Sequence, residues 1–273
     1  MARVVVTGGT GELGRAVVAR LLAEGQAVRV LSRRANPGVP PGVGVVRGDL
    51  TSGTGVTAAV AGIDIVVHCA SNGRRSGDVE GTRRLIAAAA EAGVRHLAYI
   101  SIVGVDRNPF PYYRAKLEAE GMVEAGDMPW TILRATQFHG LLLRVLRAQD
   151  RLPALLVPRD VRFQPVDSGE VAARLADLAI GRPAGRASDM GGPEVRPAED
   201  VARAYLAAAG RRRPLLRVSI PGAVGRAFRD GAQLAPGRAD GTITWDDYLR
   251  RHLGARMPTR EREEVNGATE DGL

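Results

Sequence analysis

At 273 residues with an apolar share of 45 %, the chain can bury a sizeable core as one large domain, or as one domain with a modest C-terminal lobe. Its formal net charge of +8 comes from arginines scattered through many elements, without a lysine-rich run or interleaved aromatic residues, so nucleic acid is not expected as a partner. A single cysteine excludes an intramolecular disulfide framework, four histidines show no metal-ligand spacing, and neither a leader pattern nor an apolar run of spanning length is present; a soluble, cytoplasmic chain without metal or membrane is expected.

Arg3-Val4-Val5-Val6 reads as a buried strand running into Thr7-Gly8-Gly9-Thr10-Gly11-Glu12-Leu13-Gly14. A helix follows, with Ala16, Val17, Leu21 and Leu22 on one face and Gly25 closing it. Gly8 permits the tight turn, Gly11 lets a pyrophosphate approach the backbone, and Gly14 lets helix and strand pack closely, while the helix N-terminus offers amides to an anion. This strand, glycine turn and helix is a variant of the dinucleotide fingerprint.

The second strand, Ala27 to Leu31, ends in Ser32-Arg33-Arg34. An NAD-selective site usually carries a carboxylate there for the ribose hydroxyls, whereas guanidinium groups can bind a 2′-phosphate, so NADP(H) is expected over NAD(H). Gly44 to Leu50, including Asp49, makes a third strand, Asp64 to Ala70 a fourth, His96 to Ser101 a fifth and Trp130 to Arg134 a sixth. Helices intervene at Gly55 to Ala61, Asp78 to Ala92 and Tyr112 to Glu124, giving the alternation of an α/β, doubly wound parallel sheet. Ligands of such sheets lie beyond the C-terminal strand ends, where Gly8 to Gly14, Asp49, Cys69 to Ser71 and Ser101 should converge.

Lys116 is the only lysine in a chain whose other basic residues are all arginine, and it stands four positions after Tyr112. On a helix that spacing places phenol and ammonium on one face, where the cation would lower the Tyr112 pKa towards a value useful for proton transfer. Beyond Arg134 the alternation loosens into Gly/Pro-punctuated segments, read as a smaller lobe, and from about Met257 the chain is polar, charged and aperiodic, read as a mobile tail.

Thr7 to Gly14, Gly48-Asp49-Leu50, Val79-Glu80-Gly81-Thr82, Ala92 to His96, Tyr99-Ile100-Ser101 and Tyr112-Tyr113-Arg114-Ala115-Lys116 together resemble an atypical short-chain dehydrogenase/reductase of the NAD(P)H-binding, NmrA-like branch. Ile132 to His139 and Phe163 to Asp167 are similar to segments of several actinobacterial-type members. The resemblance implies a Rossmann domain in which Gly8, Gly11 and Gly14, with Thr7, Thr10, Glu12 and Leu13, hold the pyrophosphate, Asp49 and Leu50 meet the adenine, and Cys69, Ala70 and Ser71 flank the nicotinamide ribose. It maps the reductase triad onto Ser101, Tyr112 and Lys116: Ser101 would bind the substrate oxygen, Tyr112 move its proton, and Lys116 hold the ribose. Cys69-Ala70-Ser71 departs from the Asn-Ala-Gly often seen there, and no helix asparagine stands ready to complete a proton relay.

Tyr113 is read as a packing or pocket residue, His68 as a satisfied core histidine, and Trp130 as core beside the sixth strand. Gln137, Phe138 and His139 are expected in a substrate pocket, with helix capping an equal alternative for His139. Leu141, Leu142, Leu143, Val145 and Leu146 either wall an apolar pocket or form a core or dimer face. The expected organisation is a single domain over 1–256, with substrate-lobe segments after about 135, and a tail over 257–273. The expected activity is NADPH-dependent reduction of a ketone, quinone or similar small carbonyl compound. A non-catalytic NADP(H)-responsive regulator and a nucleotide-sugar epimerase or dehydratase are the alternatives; a homo-oligomer is possible but not indicated.

Overall fold

The computed structural model describes residues 1–71 and 75–254, without the side chains of residues 75 and 76; the expected tail over 257–273 lies outside the described residues. The first half alternates as the valine- and leucine-rich runs demand. It comprises β1 (Arg3–Thr7), α1 (Glu12–Ala23), β2 (Ala27–Ser32), β3 (Gly44–Arg47), α2 (Val56–Val60), β4 (Ile65–His68), α3 (Arg75–Glu91), β5 (His96–Ile102), α4 (Pro111–Glu124) and β6 (Trp130–Ala135). The central strands are buried on both faces, so they lack a polar alternation: Val4, Val5 and Val6 are fully enclosed, whereas the edge strand β3 is largely exposed.

The second half supplies α5 (His139–Arg147), β7 (Leu155–Pro158), β8 (Arg162–Phe163), α6 (Ser168–Ile180), β9 (Gly185–Arg186), β10 (Arg196–Pro197), α7 (Ala198–Ala208), β11 (Leu215–Val218), α8 (Gly222–Arg229) and α9 (Trp245–Leu253). Helix starts follow local chemistry. Pro111 opens α4, where its missing N–H has no partner to lose; Asp167 accepts from the Gly169 and Glu170 amides at α6; Thr244 and Asp247 form a reciprocal capping box at α9.

The seven-stranded sheet runs β3-β2-β1-β4-β5-β6-β9, and each adjacent pair is parallel. One face is covered by α1 and α6 through Val17, Leu21, Val171 and Leu175. The other is covered by α2, α3 and α4 through Val60, Leu85, Ala119 and Val123. The two-residue β9 at the β6 edge falls in the loosened region and is not legible as a strand. A third core, built from Leu142, Leu146, Tyr205, Trp245 and Leu249, belongs to α5, α7 and α9.

The third and fourth strands are shorter than their apolar runs suggest. Just past β3 the Gly48 amide still donates to Ser32 O at 2.9 Å, and a Cβ there would stand 2.3 Å from Thr54 O, so the turn after the strand has no room for a side chain. Strand order reverses between β1 and β4, each winding outward in its own direction. The crevice beyond their C-terminal ends is where a doubly wound sheet receives its ligand.

Candidate functional site

That crevice is a cavity of about 300 Å³ lined by Thr7, Gly8, Thr10, Gly11, Ser32 to Arg34, Gly48 to Thr51, His68 to Ser71, Gly77, Asp78 and Gly81. The three motif glycines have separate reasons. Gly8 has φ +70°, and a Cβ there would stand 2.7 Å from the Ala70 backbone nitrogen; a Cβ on Gly14 would stand 2.1 Å from Gly8 O. Both are required by the protein's own close packing. Gly11 differs, since a Cβ there would meet only Gly8 O at 3.3 Å. What Gly11 leaves open is room at the N-terminus of α1, in a cavity lined by backbone, which is the cradle a pyrophosphate needs.

Ser32, Arg33 and Arg34 line the other end, both arginines are exposed, and among the described residues neither guanidinium forms an ion pair. The Arg34 amide donates to Ser32 Oγ at 3.1 Å, which turns the chain at the end of β2. Asp49 accepts from the Thr51 amide at 2.9 Å and lines the cavity beside Leu50. Two motif side chains point elsewhere. The Glu12 carboxylate pairs with Arg144 at 2.9 Å and packs over Gly140, and Leu13 is buried in the core under α1.

Behind the crevice lies an ordered chain of hydrogen bonds. Thr82 Oγ1 donates to Asp78 O at 2.8 Å, so its oxygen accepts from His68 Nε2 at 2.9 Å. With that nitrogen protonated, Nδ1 accepts from Thr7 Oγ1 at 2.7 Å, and the Ala70 amide donates to Thr7 Oγ1 at 3.4 Å. His68 is thereby fixed as one neutral tautomer. Burial, aided by the Lys116 charge, pushes its pKa down to about 3, as befits a satisfied core histidine.

Tyr112 stands at the end of the crevice. Ser71 Oγ donates to Asp78 Oδ2 at 2.7 Å, which leaves its oxygen to accept from the Tyr112 phenol at 3.0 Å. The expected effect of Lys116 on this phenol is corrected: burial raises the Tyr112 pKa, the Ser71 hydrogen bond lowers it, and the Asp78 charge raises it, with a net upward shift. Lys116 is buried, donates from Nζ to Ile100 O at 2.7 Å and lies 4.2 Å from the centre of the Tyr99 ring. Burial pushes its pKa down to about 8 against the raising pull of Asp78, Cys69 and Glu120. A compact ammonium thus sits between a carbonyl and a ring face, satisfied by both.

Ser101 is likewise turned from the crevice. Its Oγ is buried without a hydrogen bond of standard geometry and lies beside Glu120, whose carboxyl it helps hold down. Glu120, one helical turn beyond Lys116, is fully buried and gripped by both arms of Arg134, at 2.9 and 2.6 Å. Arg186 adds a contact at 3.0 Å, and Asp106 takes the remaining arm of Arg134 at 3.1 Å. Burial raises the Glu120 carboxyl, but these partners hold it below its ordinary value. The cluster clamps α4, and with it the Tyr112 face, to β6 and β9.

The expected substrate residues are engaged in the protein's own packing, between the sheet core and the lobe. Gln137 is buried, donating to Gln233 O at 2.9 Å and accepting from the Gln164 amide at 3.1 Å. Phe138 packs against the sheet core and starts α5 without a side-chain cap. His139 is the first residue of α5 and is buried: Nε2 donates to Ile243 O at 3.0 Å, and its ring lies 4.9 Å from that of Tyr248. Of the leucine cluster, Leu142, Leu143 and Leu146 form core, and Leu141 and Val145 are exposed. Tyr113 packs edge-on with Phe110 and Phe228. Thr82 and Asp78, unremarked as site residues, carry no signature of spacing; only the fold brings them to Ser71 and His68. Among the described residues no group of three potential ligands could hold a metal ion, and no helix is long and apolar enough to cross a membrane.

A family model described as NAD(P)H-binding matches residues 8–140. A (4-alkanoyl-5-oxo-2,5-dihydrofuran-3-yl)methyl phosphate reductase of Streptomyces griseus is 33 % identical over 199 residues, covering 70 % of this chain and 68 % of that protein. An NADPH-dependent quinone oxidoreductase of Escherichia coli, solved with NADPH, superposes with a TM-score of 0.78 at 18 % identity over 91 % of this chain and 99 % of its own. A short-chain dehydrogenase/reductase superfamily protein of Agrobacterium tumefaciens, solved with NAD, gives a TM-score of 0.70 at 24 % identity over 93 % and 97 %. With its sheet order and glycine turn, the chain belongs to the atypical short-chain dehydrogenase/reductases, in the NAD(P)H-binding, NmrA-like branch, and is an NAD(P)H-dependent oxidoreductase.

Proposed function

We propose that this oxidoreductase uses NADPH to reduce a ketone, quinone or similar small carbonyl compound, with Tyr112 as proton donor. The observation that carries the reading is a phenol hydrogen-bonded to Ser71, a residue in the wall of the crevice that begins at the glycine turn. Bound along the crevice, the dinucleotide supplies the hydride. Gly11 and the first amides of α1 would hold its pyrophosphate, Asp49 and Leu50 its adenine, and Ala70 and Ser71 its nicotinamide end.

Arg33 and Arg34 support NADPH over NADH, because two exposed guanidinium groups outside any described ion pair are available for a 2′-phosphate. The names of the Streptomyces and Escherichia proteins support reduction of a conjugated carbonyl compound. Lys116 and Ser101 act in this reading through α4, one by anchoring it to Ile100 and the other by sitting against Glu120, and neither touches the substrate. Of the segments after about 135, α6 and β9 belong to the sheet layers, while α5, α7 and α9 around their own core would close the substrate side, beside Phe110, 40 % exposed just before Tyr112.

The test is NADPH oxidation against a panel of quinones, 3-oxo esters and alkanoyl butenolides. Tyr112→Phe keeps the ring and should lower kcat about 10²–10⁴-fold with NADPH binding intact. Wild-type turnover by that variant sinks the assignment. Replacing Arg33 and Arg34 by alanine should weaken NADPH by about 1.5–3 kcal/mol per lost charged hydrogen bond and leave NADH nearly unchanged; equal losses in calorimetry would refute the 2′-phosphate clamp.

A further inference from the structure

We propose that Ser71 and Asp78 form a proton relay that recharges Tyr112 from solvent, in place of the helix asparagine that the chain lacks. The proposal rests on Tyr112 as the acid, and its geometry is a continuous path: phenol to Ser71 Oγ at 3.0 Å, Ser71 Oγ to Asp78 Oδ2 at 2.7 Å. The path leads outward, since Tyr112 and Asp78 are half-buried and Ser71 is exposed. It does not lead inward, because Lys116 is committed to Ile100 O and the Tyr99 ring.

The far end of the relay is held in place by the buried chain behind it. Thr82 Oγ1 binds Asp78 O, His68 binds Thr82, and Thr7 binds His68, so the first turn of α3 is tied to the ends of β1 and β4. Asp78 therefore meets Ser71 from a fixed backbone. Ser71 is well suited to the middle position, as a hydroxyl can accept one proton while it donates another.

In the resting polarity the phenol donates to Ser71 and Ser71 to the Asp78 carboxylate. That direction carries a proton away from Tyr112, as oxidation of an alcohol requires. Reduction runs the same path backwards, with Asp78 handing on a proton taken from solvent. The carbonyl carbon takes the hydride and its two electrons, the carbonyl oxygen takes the Tyr112 proton, Ser71 gives its proton to the phenolate, and Asp78 gives its proton to Ser71. Asp78 regains a proton from water, so each turnover consumes one NADPH and one solvent proton and yields NADP+ and the alcohol.

The first test needs no substrate. The ionisation of Tyr112 is read as the difference in phenolate absorbance between each protein and its Tyr112→Phe counterpart. Asp78→Asn should move the Tyr112 midpoint down, by removing a nearby negative charge, and Ser71→Ala should move it up, by removing the hydroxyl that turns its proton towards Tyr112 once the phenolate forms. Unmoved midpoints in both variants overturn the relay. The second test uses whichever of menadione or a 2-alkyl-3-oxoalkanoate ester the wild type reduces with saturating NADPH. Ser71→Ala should lower kcat about ten- to a hundredfold, below the loss from removing the acid itself, and should straighten a curved dependence of kcat on deuterium fraction; Ser71→Thr should restore both. A slowed Tyr112→Phe beside an unchanged Ser71→Ala overturns the relay and leaves the reductase standing. Full activity in Tyr112→Phe overturns the reductase assignment and the relay with it.

Discussion

The crevice and the lobe beyond β6 are held together by different kinds of contact. Around the glycine turn the crevice is closed by backbone meeting backbone: Gly14 on Gly8 O within one turn and helix start, and Gly8 on the Ala70 nitrogen just past β4. In the lobe, buried amides bridge segments far apart. Gln164 donates to Gly192 O and Ala235 O at 3.0 and 3.1 Å and accepts from the Ala235 amide at 2.8 Å, while Gln233 donates to Arg162 O and Phe228 O. A surface built from close backbone leaves space for a ligand. In the lobe the side-chain amides of Gln137 and Gln164 and the Nε2 of His139 donate to the protein's own carbonyls, which is why these side chains turn inward.

Arg134 sits at the boundary between the two regions, and removing it should break that division most severely. In Arg134→Ala the fully buried Glu120 carboxylate keeps only Arg186, so α4 loses its clamp to β6. Breaking a buried pair from one side costs about 3–5 kcal/mol, to be read as a fall in the urea midpoint. Asp106→Asn removes the more exposed partner of the same arginine and should cost under about 1 kcal/mol. Similar losses in both would mean that Glu120 gains nothing special from its burial.

The same contrast decides what was legible in the sequence. Thr7 to Gly14, the six apolar strands, Asp49 and the Tyr112 to Lys116 spacing declare themselves within short windows, because strand, turn and helix chemistry acts over a few residues. Spacing correctly put Tyr112 and Lys116 on one helix, but not the depth at which each would lie. Lys116 is enclosed and bound to Ile100 O, so the phenol is governed by its own burial and then by Ser71 and Asp78. Ser101 was placed at the end of the right strand, and only pairing with Arg134 in the next strand shows that it faces α4. In the lobe, β9 and β10 are two-residue strands, and His139 finds Ile243 over a hundred positions away. No local pattern encodes such partners.

A gentler way to sharpen the comparison is pH, because the buried chain behind the crevice contains a titratable group where the lobe's Gln164 hub has amides. His68 is held neutral in the folded state, with a pKa of about 3 against 6.5 when exposed. A base whose folded pKa is depressed contributes stability that is present above the unfolded value and lost as pH falls from about 6.5 towards 3, since over that window only the unfolded chain takes up the proton. The loss approaches about 1.4 kcal/mol per pH unit, or about 2 kcal/mol in all between about pH 7 and pH 5. His96 and His139, also lowered by burial, add to the wild-type acid limb in the same direction. His68→Asn cannot titrate and should be less stable at neutral pH, having lost part of the Thr7 to Thr82 bridge, yet its unfolding free energy should fall by about 2 kcal/mol less than that of the wild type over the same interval. Urea unfolding at the two pH values measures both quantities. Parallel losses in the two proteins would show that His68 takes up its proton while folded, and that the bridge to Asp78 is looser than its hydrogen bonds imply.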